Sequence, residues 1–432
     1  MNPLLKKLEE IASKKERRII GLMSGTSMDG LDIALCRFRG SGTTTGFEVE
    51  AFTSVSYPED VNQQLIAFAT AKSLDPQLLC VWHTWLAHLH AGYVNVALKN
   101  WRVQAEDVDL VASHGQTIYH APKHKHNMEG MPNATLQIGD GDHLAYETGI
   151  ITISDFRQRD TARGNEGAPL AAYGDYLLFS NPSKHRVLLN IGGISNFTWL
   201  PAGSDTFPPL SFDTGPGNIL IDAATRKHFG GMQYDKGGGL AAKGKVHAGL
   251  LDLLKKHPYF KKPAPKTTGF EVFHLNWVEQ CMGELGVRLE DDLPEAGKGT
   301  SQEPDDKSGD KAGSDNTENS GKDGKETLRD VDLLATLTQL TADSVADQIR
   351  DILPEKEPAE VFVSGGGAYN DSLMSALQSI LHSVPVRNTE KLGVSADAKE
   401  AVFFAALANE LICGEDTRLH LGKISLPEEF RS

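Results

Sequence analysis

A strand, a glycine-rich turn and a second strand occur in the same order twice along this chain, and this repetition limits the folds it can adopt. The copies are GLMSGTSMDGLDIAL at residues 21–35 and LLNIGGISNFTWL at residues 188–200. In both halves a third strand and helices follow, and then an apolar strand that ends in small residues, at 109–117 and 360–370. Short apolar runs bounded by glycine predict strands. The pattern predicts an α/β protein with two duplicated lobes around a cleft; two unrelated α/β domains are the alternative.

The predicted lobes span residues 18–185 and 186–432, and the C-terminal helices of the second could pack back on the first. Residues 1–17 are highly charged and form either a short helix or a loose tail. Residues 295–326 contain no large apolar side chain, so burial cannot offset the entropy that ordering them would cost. We expect a disordered polar insertion there. Since 40% of the 432 residues are hydrophobic, the rest of the chain can build sizeable cores.

The chain is acidic, which excludes several classes of partner. Asp and Glu number 58, Lys and Arg number 43, and the net charge is −15. Such a chain lacks the basic surface that binds nucleic acids and anionic membranes, so we expect neither as a partner. The N-terminus has no apolar signal region, no stretch approaches about 18 apolar residues, and the four cysteines form no C-x-x-C pair. We therefore expect a cytoplasmic protein.

The first glycine turn, between Gly21 and Asp32, is a candidate phosphate-binding site. Its small residues expose backbone N–H groups, and Thr26 and Ser27 add hydroxyl donors, so the turn offers a concave surface for phosphate oxygens. Asp29 would be a hard oxygen ligand, direct or through water, for the Mg²⁺ that accompanies a nucleotide. An ordinary hairpin in which Asp29 caps a turn is the alternative.

Two further glycine turns follow predicted strands. Gly192 and Gly193 occupy the equivalent place in the second half, so the two turns could hold one triphosphate from both sides. The other turn contains Gly365, Gly366 and Gly367, which leave a flat backbone surface for an adenine ring. A tight strand-to-helix turn would explain the same three glycines.

Charged side chains at two other strand ends are candidates for catalysis and substrate binding. Asp213 ends a strand and precedes a glycine turn, where a carboxylate projects toward the ligands of a sheet. It could accept a proton from an attacking hydroxyl or water, or it could cap the next helix. In DFRQRD, residues 155–160, an arginine could meet an anionic substrate group, or the cluster could be a structural ion pair.

Taken together, these segments resemble the anhydro-N-acetylmuramic acid kinases. The resemblance runs from Ile20 to Ala408 apart from the insertion, and it rests on GLMSGTSMDGLDIAL, SHGQTIYH, LQIGD, DFRQRD, EGAPL, LNIGGISN, FDTGPGN, YDKGG, PAPKTTGFE, SGGGAYN and GVSADAKEA in this order. That family belongs to the hexokinase, actin and heat-shock ATPase superfamily, in which two ribonuclease H-like lobes surround a nucleotide cleft. The resemblance therefore implies the same duplicated fold as the repeat.

The activity that the resemblance implies is that of an ATP-dependent carbohydrate kinase that also hydrolyses its substrate. The γ-phosphoryl group would go to the 6-oxygen of 1,6-anhydro-N-acetylmuramic acid while water opens the anhydro bridge. The product, N-acetylmuramic acid 6-phosphate, belongs to the recycling of cell-wall amino sugars. The expected partners are the anhydro sugar and ATP with Mg²⁺, and a homodimer stays open.

The motif match, which implies the phosphate loop from Gly25 to Asp32 and the base Asp213, and the residue patterns above together predict roles for particular residues. Asp213 would be the base that activates water, Arg157 and Asp160 would bind the sugar, and Glu400 is a second carboxylate that could touch it. Asp29 would also bind the metal. The nucleotide would contact all three glycine turns, through Gly25, Thr26, Ser27, Met28, Asp29, Gly30, Leu31, Asp32, Gly192, Gly193, Gly365, Gly366 and Gly367.

Two departures from the family pattern leave alternatives open. Family members commonly have QGAP where this chain has EGAP at Glu166, and the polar insertion is foreign to the compact bacterial pattern. The levoglucosan kinases share SGTSMDG, DTGPGN and GGGAYN and act on an anhydroglucose. DFRQRD and LQIGD resemble the muramic acid kinases more closely, which favours the amino sugar. A non-catalytic module that binds ATP or sugar is the third alternative.

Overall fold

The structure is a computed structural model of the chain, and it describes residues 2–25, 27–71, 73–168, 170–203, 209–290, 326–395 and 397–428. Thr26 and residues 295–325 of the predicted insertion lie outside the described residues. None of the helices in the described ranges combines the length and the apolar character that a membrane span requires.

Helices and strands alternate through both halves of the described chain. The helices are α1 Pro3–Ser13, α2 Glu59–Thr70, α3 Pro76–Trp101, α4 Lys123–His126, α5 Gly141–Thr148, α6 Phe156–Ala162, α7 Ala171–Phe179, α8 Ile219–His228, α9 Ala248–Leu254, α10 Leu275–Leu285, α11 Asp330–Ile352, α12 Asp371–Leu381 and α13 Lys399–Cys413. The strands are β1 Glu16–Ser24, β2 Gly30–Arg39, β3 Gly46–Ser56, β4 Leu110–Ala121, β5 Ala134–Ile138, β6 Thr152–Ser154, β7 His185–Ile191, β8 Ile194–Leu200, β9 Leu210–Pro216, β10 Val287–Leu289, β11 Glu326–Leu328, β12 Ala359–Ser364, β13 Val386–Asn388 and β14 Lys423–Ser425.

The chain divides into two compact units. The first contains Met1–Leu188, Thr198–Leu210 and Thr389–Ser432, and the second contains Leu189–Phe197 and Ser211–Asn388. The C-terminal helix α13 thus belongs to the first unit. Of the two alternatives for the N-terminal residues, the structure shows the short helix. This helix, α1, buries Leu4 and Ile11.

The first unit is built on a sheet whose main path runs β3-β2-β1-β4-β6-β14, with β5 paired to β4. Strand β1 pairs antiparallel with β2 and parallel with β4, and β4 pairs parallel with β6. Strand β1 suits the centre of the sheet because eight of its nine residues are buried or half-buried. Ile19, Ile20 and Leu22 are fully buried. Ile20 and Leu22 share one apolar core with Leu65 of α2 and Leu86 of α3.

The second unit repeats this strand order in a sheet that runs β9-β8-β7-β12-β13, with β12 and β13 parallel. In both sheets the first three strands lie in reverse sequence order, and the next strands are added on the other side of the first. This is the ribonuclease H-like order, so the predicted α/β fold with two duplicated lobes is confirmed. Helices α8–α11 contribute the apolar core beside the second sheet, including Leu250, Leu254 and Leu337.

Helix α13 packs on β1 so closely that only glycine fits at position 21. A Cβ built on Gly21 would lie 1.8 Å from the carbonyl oxygen of Ala401, which is a backbone atom and cannot rotate away. Because overpacking of this kind forces the backbone apart, we expect Gly21→Ala to lower the free energy of unfolding by about 2 kcal/mol or more.

Gly92→Ala is the matched control for this prediction. Gly92 lies within α3, and a Cβ built there meets nothing within 4 Å. Alanine should therefore stabilise the helix by about 0.5–1 kcal/mol. Urea unfolding of both variants measures the difference, and equal midpoints would show that α13 does not restrict position 21.

Candidate active site

Buried side chains fix the glycine turn between β1 and β2. The Ser24 hydroxyl lies 3.0 Å from the carbonyl oxygen of Gly30, which closes the base of the turn. The amide of Gln116 donates to the carbonyl oxygen of Gly25 at 3.1 Å, and the amide of Asn62 donates to that of Met28 at 2.8 Å. These three bonds therefore hold Gly25, Met28 and Gly30 of the turn in place, as a phosphate site requires.

A second layer of polar residues lies beneath this turn. The Tyr57 hydroxyl donates to the Ser24 hydroxyl oxygen at 2.9 Å and lies 2.7 Å from Nε2 of His90. His90 is 1% exposed, and burial lowers its pKa to about 3, so the ring is neutral. This hydrogen-bonded chain anchors Ser24 from the side opposite the turn.

The turn forms one wall of a cavity of about 410 Å³ within the first unit. Four carboxylates line it, two from the turn region and two from the start of α13: Asp29, Asp32, Asp397 and Glu400. Its other lining residues are small, polar or sulfur-containing: Met23, Gly25, Ser27, Gly30, Ser54 and Ser56. Burial and the negative charges of Asp397 and Asp29 raise the pKa of the Asp32 carboxyl.

Predicted nucleotide-binding residues of this turn fall into two sets. Gly25, Ser27, Asp29, Gly30 and Asp32 line the cavity. The side chains of Met28 and Leu31 are buried in the core instead, so these two could meet a ligand through their backbone only.

The donor set of this cavity fits Mg²⁺ bound together with a nucleotide. Four carboxylates alone would repel a triphosphate, and a divalent cation between them removes that repulsion. Asp29 is exposed at the turn, and its carboxylate accepts a 2.6 Å hydrogen bond from the Ser27 hydroxyl. Among the described residues no group of three or more metal-ligating side chains forms a complete ion site.

Arg157 of α6 is hydrogen-bonded to the core of the first unit, and its positive charge acts on Glu400. Its Nε donates to Nε2 of His114 at 2.7 Å, and its Nη1 donates to the carbonyl oxygen of Gly167 at 2.9 Å. Burial and the positive charge of Arg157 lower the pKa of His114 to about 3, so His114 is a neutral acceptor. Partial desolvation raises the pKa of Glu400, while the positive charges of Arg157 and Lys399 oppose that rise.

Asp160 is placed differently from Arg157. It is 2% exposed, and its carboxylate accepts hydrogen bonds from the backbone N–H of Gly167 and the amide of Asn165, both at 2.9 Å. These bonds fold the segment after α6 back onto the helix. The carboxylate is thus engaged by the protein, and contact with a substrate stays a prediction.

The two buried histidines predict a pH dependence of stability. His90 and His114 have a pKa of about 3 when folded and about 6.5 when unfolded, so unfolding takes up protons below pH 7. The free energy of unfolding should therefore fall by about 1 kcal/mol per histidine between pH 7 and pH 5.5. In His90→Gln, urea unfolding at these two pH values should show a smaller loss; an unchanged loss would contradict the assignment.

In the second unit, the turn at Gly192 and Gly193 is joined to the start of α8. The carbonyl oxygen of Gly193 accepts the N–H of Gly217 at 2.8 Å, and that of Gly192 accepts the N–H of Asn218 at 2.8 Å. A Cβ built on Gly217 would lie 2.3 Å from the carbonyl oxygen of Gly192, so glycine is needed for this approach. The predicted DTGPGN segment and the second glycine turn therefore form one structural unit.

The three glycines after β12 lie in different surroundings. Gly365 has φ of +78°, and Cβ atoms built on Gly365 and Gly367 would lie within 2.7 Å of Asn190 or Ile191 atoms on β7. Gly366 instead lines a cavity of about 530 Å³ in the second unit, with Asn218, Ile221, Asp222, Tyr234, Asp235, Lys236, Gly237, Tyr369 and Asn370. The rings of Tyr234 and Tyr369 are 57% and 60% exposed. Flat exposed rings beside glycine backbone suit a purine base.

Asp213 is half-buried in the middle of β9 in the second unit, and the prediction that it ends a strand is wrong, because β9 continues through the glycine turn to Pro216. One oxygen of its carboxylate accepts the backbone N–H of Thr268 at 2.9 Å. Burial raises the pKa of this carboxyl above that of an ordinary aspartate, and the Thr268 N–H opposes the rise. A carboxylate with a raised pKa that keeps a free oxygen has the properties of a general base.

Comparison with known proteins identifies the family to which these features belong. The family model described as anhydro-N-acetylmuramic acid kinase matches residues 17–294 and 318–420. The chain belongs to the anhydro-N-acetylmuramic acid kinase family. The resemblance drawn from the motifs is thereby confirmed.

Curated members of the anhydro-N-acetylmuramic acid kinase family match along nearly their whole length. The one from Pseudoalteromonas atlantica is 42% identical, with 99% of this chain and 100% of the relative covered. Those from Pseudoalteromonas translucida and Caldanaerobacter subterraneus are 39% and 36% identical, covering 98% and 97% of this chain and 95% and 100% of theirs. The chain therefore has the length of its relatives, and it is a carbohydrate kinase by family.

Sequence reasoning missed the residues that support this kinase family's motifs from a distance. Tyr57, Asn62, His90 and Gln116 hold the first turn, yet they lie 27 or more positions from it or on other elements, and no local pattern marks them. Tyr259 and Lys266 both contact Asp213. Of the two, only Lys266 could have been suspected from the sequence, because it belongs to the PAPKTTGFE motif, to which the sequence analysis gave no role.

Proposed function

We propose that this protein transfers the γ-phosphoryl group of ATP to the 6-oxygen of 1,6-anhydro-N-acetylmuramic acid, with hydrolytic opening of the anhydro bridge. The observation that carries the proposal is the half-buried Asp213, a base with a raised pKa within β9 of a chain that matches this kinase family over residues 17–294 and 318–420. The product is N-acetylmuramic acid 6-phosphate.

The chemistry needs one base and balances as follows. Water forms a bond to the anomeric carbon as the bond from that carbon to the bridging 6-oxygen breaks. The 6-oxygen forms a bond to the γ-phosphorus as the bond to the ADP oxygen breaks. Asp213 accepts the proton of the attacking water. The raised pKa makes this aspartate a stronger base than an ordinary one.

Each unit offers a surface for one part of a nucleotide. In the first unit, the turn residues that line the cavity, Gly25, Ser27, Asp29, Gly30 and Asp32, would hold phosphate oxygens. In the second unit, the cavity lined by Tyr234 and Tyr369 would take an adenosine. Mg²⁺ at Asp29 would supply charge neutralisation for the phosphates.

Arg157 favours the amino sugar over levoglucosan. Its guanidinium donates to a neutral histidine and a carbonyl oxygen, and the negative charges of Glu400 and Asp160 both act on it. Because neither of its hydrogen-bond acceptors is charged, Arg157 would bind an acidic substituent, which anhydromuramic acid carries and levoglucosan lacks. We further propose a cytoplasmic location and no nucleic-acid partner, in keeping with the acidic composition.

Release of ADP tests the proposed function. Purified protein with ATP and Mg²⁺ is given anhydromuramic acid, levoglucosan or no sugar. Rapid ADP release with anhydromuramic acid alone is the expected result. Turnover with levoglucosan only would favour the anhydroglucose kinases, and no turnover with any sugar would favour a binding module.

A further inference from the structure

One connection in the second unit contacts Asp213 on three sides. The Tyr259 hydroxyl donates to the carbonyl oxygen of Asp213 at 2.7 Å. The N–H of Asp213 donates to the carbonyl oxygen of Lys266 at 3.0 Å, and the N–H of Thr268 donates to the carboxylate at 2.9 Å. Residues 259–268 therefore fix both the backbone and the side chain of the proposed base.

A buried cation closes this connection into a loop. Lys266 is 6% exposed, and its ammonium donates to the carbonyl oxygens of Phe260 at 3.2 Å and Tyr259 at 3.4 Å. The same ammonium lies 5.0 Å from the centroid of the Tyr259 ring, within the range of a cation–π contact. Lys266 thus joins the beginning of the connection to its end.

Burying an ammonium group costs free energy that an apolar side chain of similar size would not. The pKa of Lys266 is lowered by burial, which reflects that cost. The negative charge of Asp351 opposes this lowering and the positive charge of Lys262 adds to it. The contacts made by the ammonium are to backbone oxygens, so they set the path of the loop.

We propose that Lys266 is a positioning residue for Asp213, acting through the loop that it closes. By holding Tyr259 and Thr268 in place, it keeps the Thr268 N–H on one carboxylate oxygen and leaves the other free for the attacking water. This inference rests on the proposed function of Asp213. It assigns to the PAPKTTGFE motif the task of orienting the base.

Lys266→Met tests the inference, because methionine keeps the length of the side chain and removes its charge and donors. We expect kcat to fall by about 10- to 100-fold as the carboxylate loses its fixed orientation. The acid limb of the kcat–pH profile should move up by about 0.5–1 pH unit, because loss of the Thr268 N–H removes a donor that favours the ionised form. The KM for ATP should stay unchanged.

Two further variants keep the test decisive. Tyr259→Phe removes only the hydroxyl bond to Asp213 and should move the acid limb in the same direction by less, even if Lys266→Met fails to fold. Lys261→Met is the matched control, since Lys261 is an exposed lysine of the same connection and should behave as wild type. Thermal melting of all three checks folding.

The outcomes separate this inference from the proposed function. An acid limb that stays at its wild-type pH in Lys266→Met and Tyr259→Phe, whether or not kcat falls, would overturn the positioning role and leave the proposed function intact. Turnover retained by Asp213→Asn would overturn both. A shifted acid limb in either variant, with Lys261→Met unchanged, supports the inference.

Discussion

Asp213→Asn is expected to lower kcat by about 10³-fold or more while the affinity for ATP stays unchanged. Asparagine has the shape of aspartate and can still accept the Thr268 N–H, so the loop around it should keep its structure. It cannot accept a proton at neutral pH, so the attacking water loses its base. Steady-state ADP release and ATP binding by calorimetry measure the two quantities separately.

Asp252→Asn is the control for this substitution. Asp252 is an exposed aspartate on α9 of the same unit, so its loss should leave kcat within the error of the assay. Near-normal turnover in Asp213→Asn would remove the proposed base. A loss of ATP affinity equal to the loss of turnover would place Asp213 in nucleotide binding instead.

Arg157→Gln is the second substitution with a large expected effect. The change removes the donor to His114 and one of the two positive charges that act on Glu400, the other being Lys399. We expect kcat/KM for anhydromuramic acid to fall by about 10²-fold, chiefly through KM, because a hydrogen bond to the charged group of the substrate is worth about 1.5–3 kcal/mol. Initial rates over a range of sugar concentrations measure the effect.

Arg159→Gln provides a matched control on the same helix. Arg159 is exposed and two positions from Arg157, so its replacement changes the charge equally without touching His114 or Gly167. Wild-type kinetics are expected for it. Equal losses in both variants would mean that the effect comes from net charge, and an unchanged KM in Arg157→Gln would exclude this arginine from sugar binding.

Local sequence patterns were sufficient to predict the fold of this chain. Apolar runs that end in glycine predicted β1, β7 and β12, and the repetition of their order predicted two related sheets. These features are visible in the sequence because strand burial and turn geometry each depend on a few neighbouring residues. Gly217 and Gly365 show the same principle, since the structure needs glycine at both for close backbone approach.

The support of the site could not be predicted in this way. Gln116 reaches the turn at Gly25 from β4, and Tyr57 and His90 meet only because β3 and α3 pack together. Contacts between residues so distant in sequence follow from the fold and leave no periodic signal. The charged pattern of DFRQRD also could not predict the partners of Arg157 and Asp160, because His114 and Gly167 reach them only in the folded chain.

Mass spectrometry of the product tests the central claim most directly. The protein is incubated with ATP, Mg²⁺ and anhydromuramic acid, and the sugar products are measured. The proposed reaction predicts N-acetylmuramic acid 6-phosphate, which has gained one phosphoryl group and one water relative to the substrate. A phosphorylated sugar that retains the anhydro bridge, or an opened sugar without phosphate, would contradict the coupled reaction at Asp213.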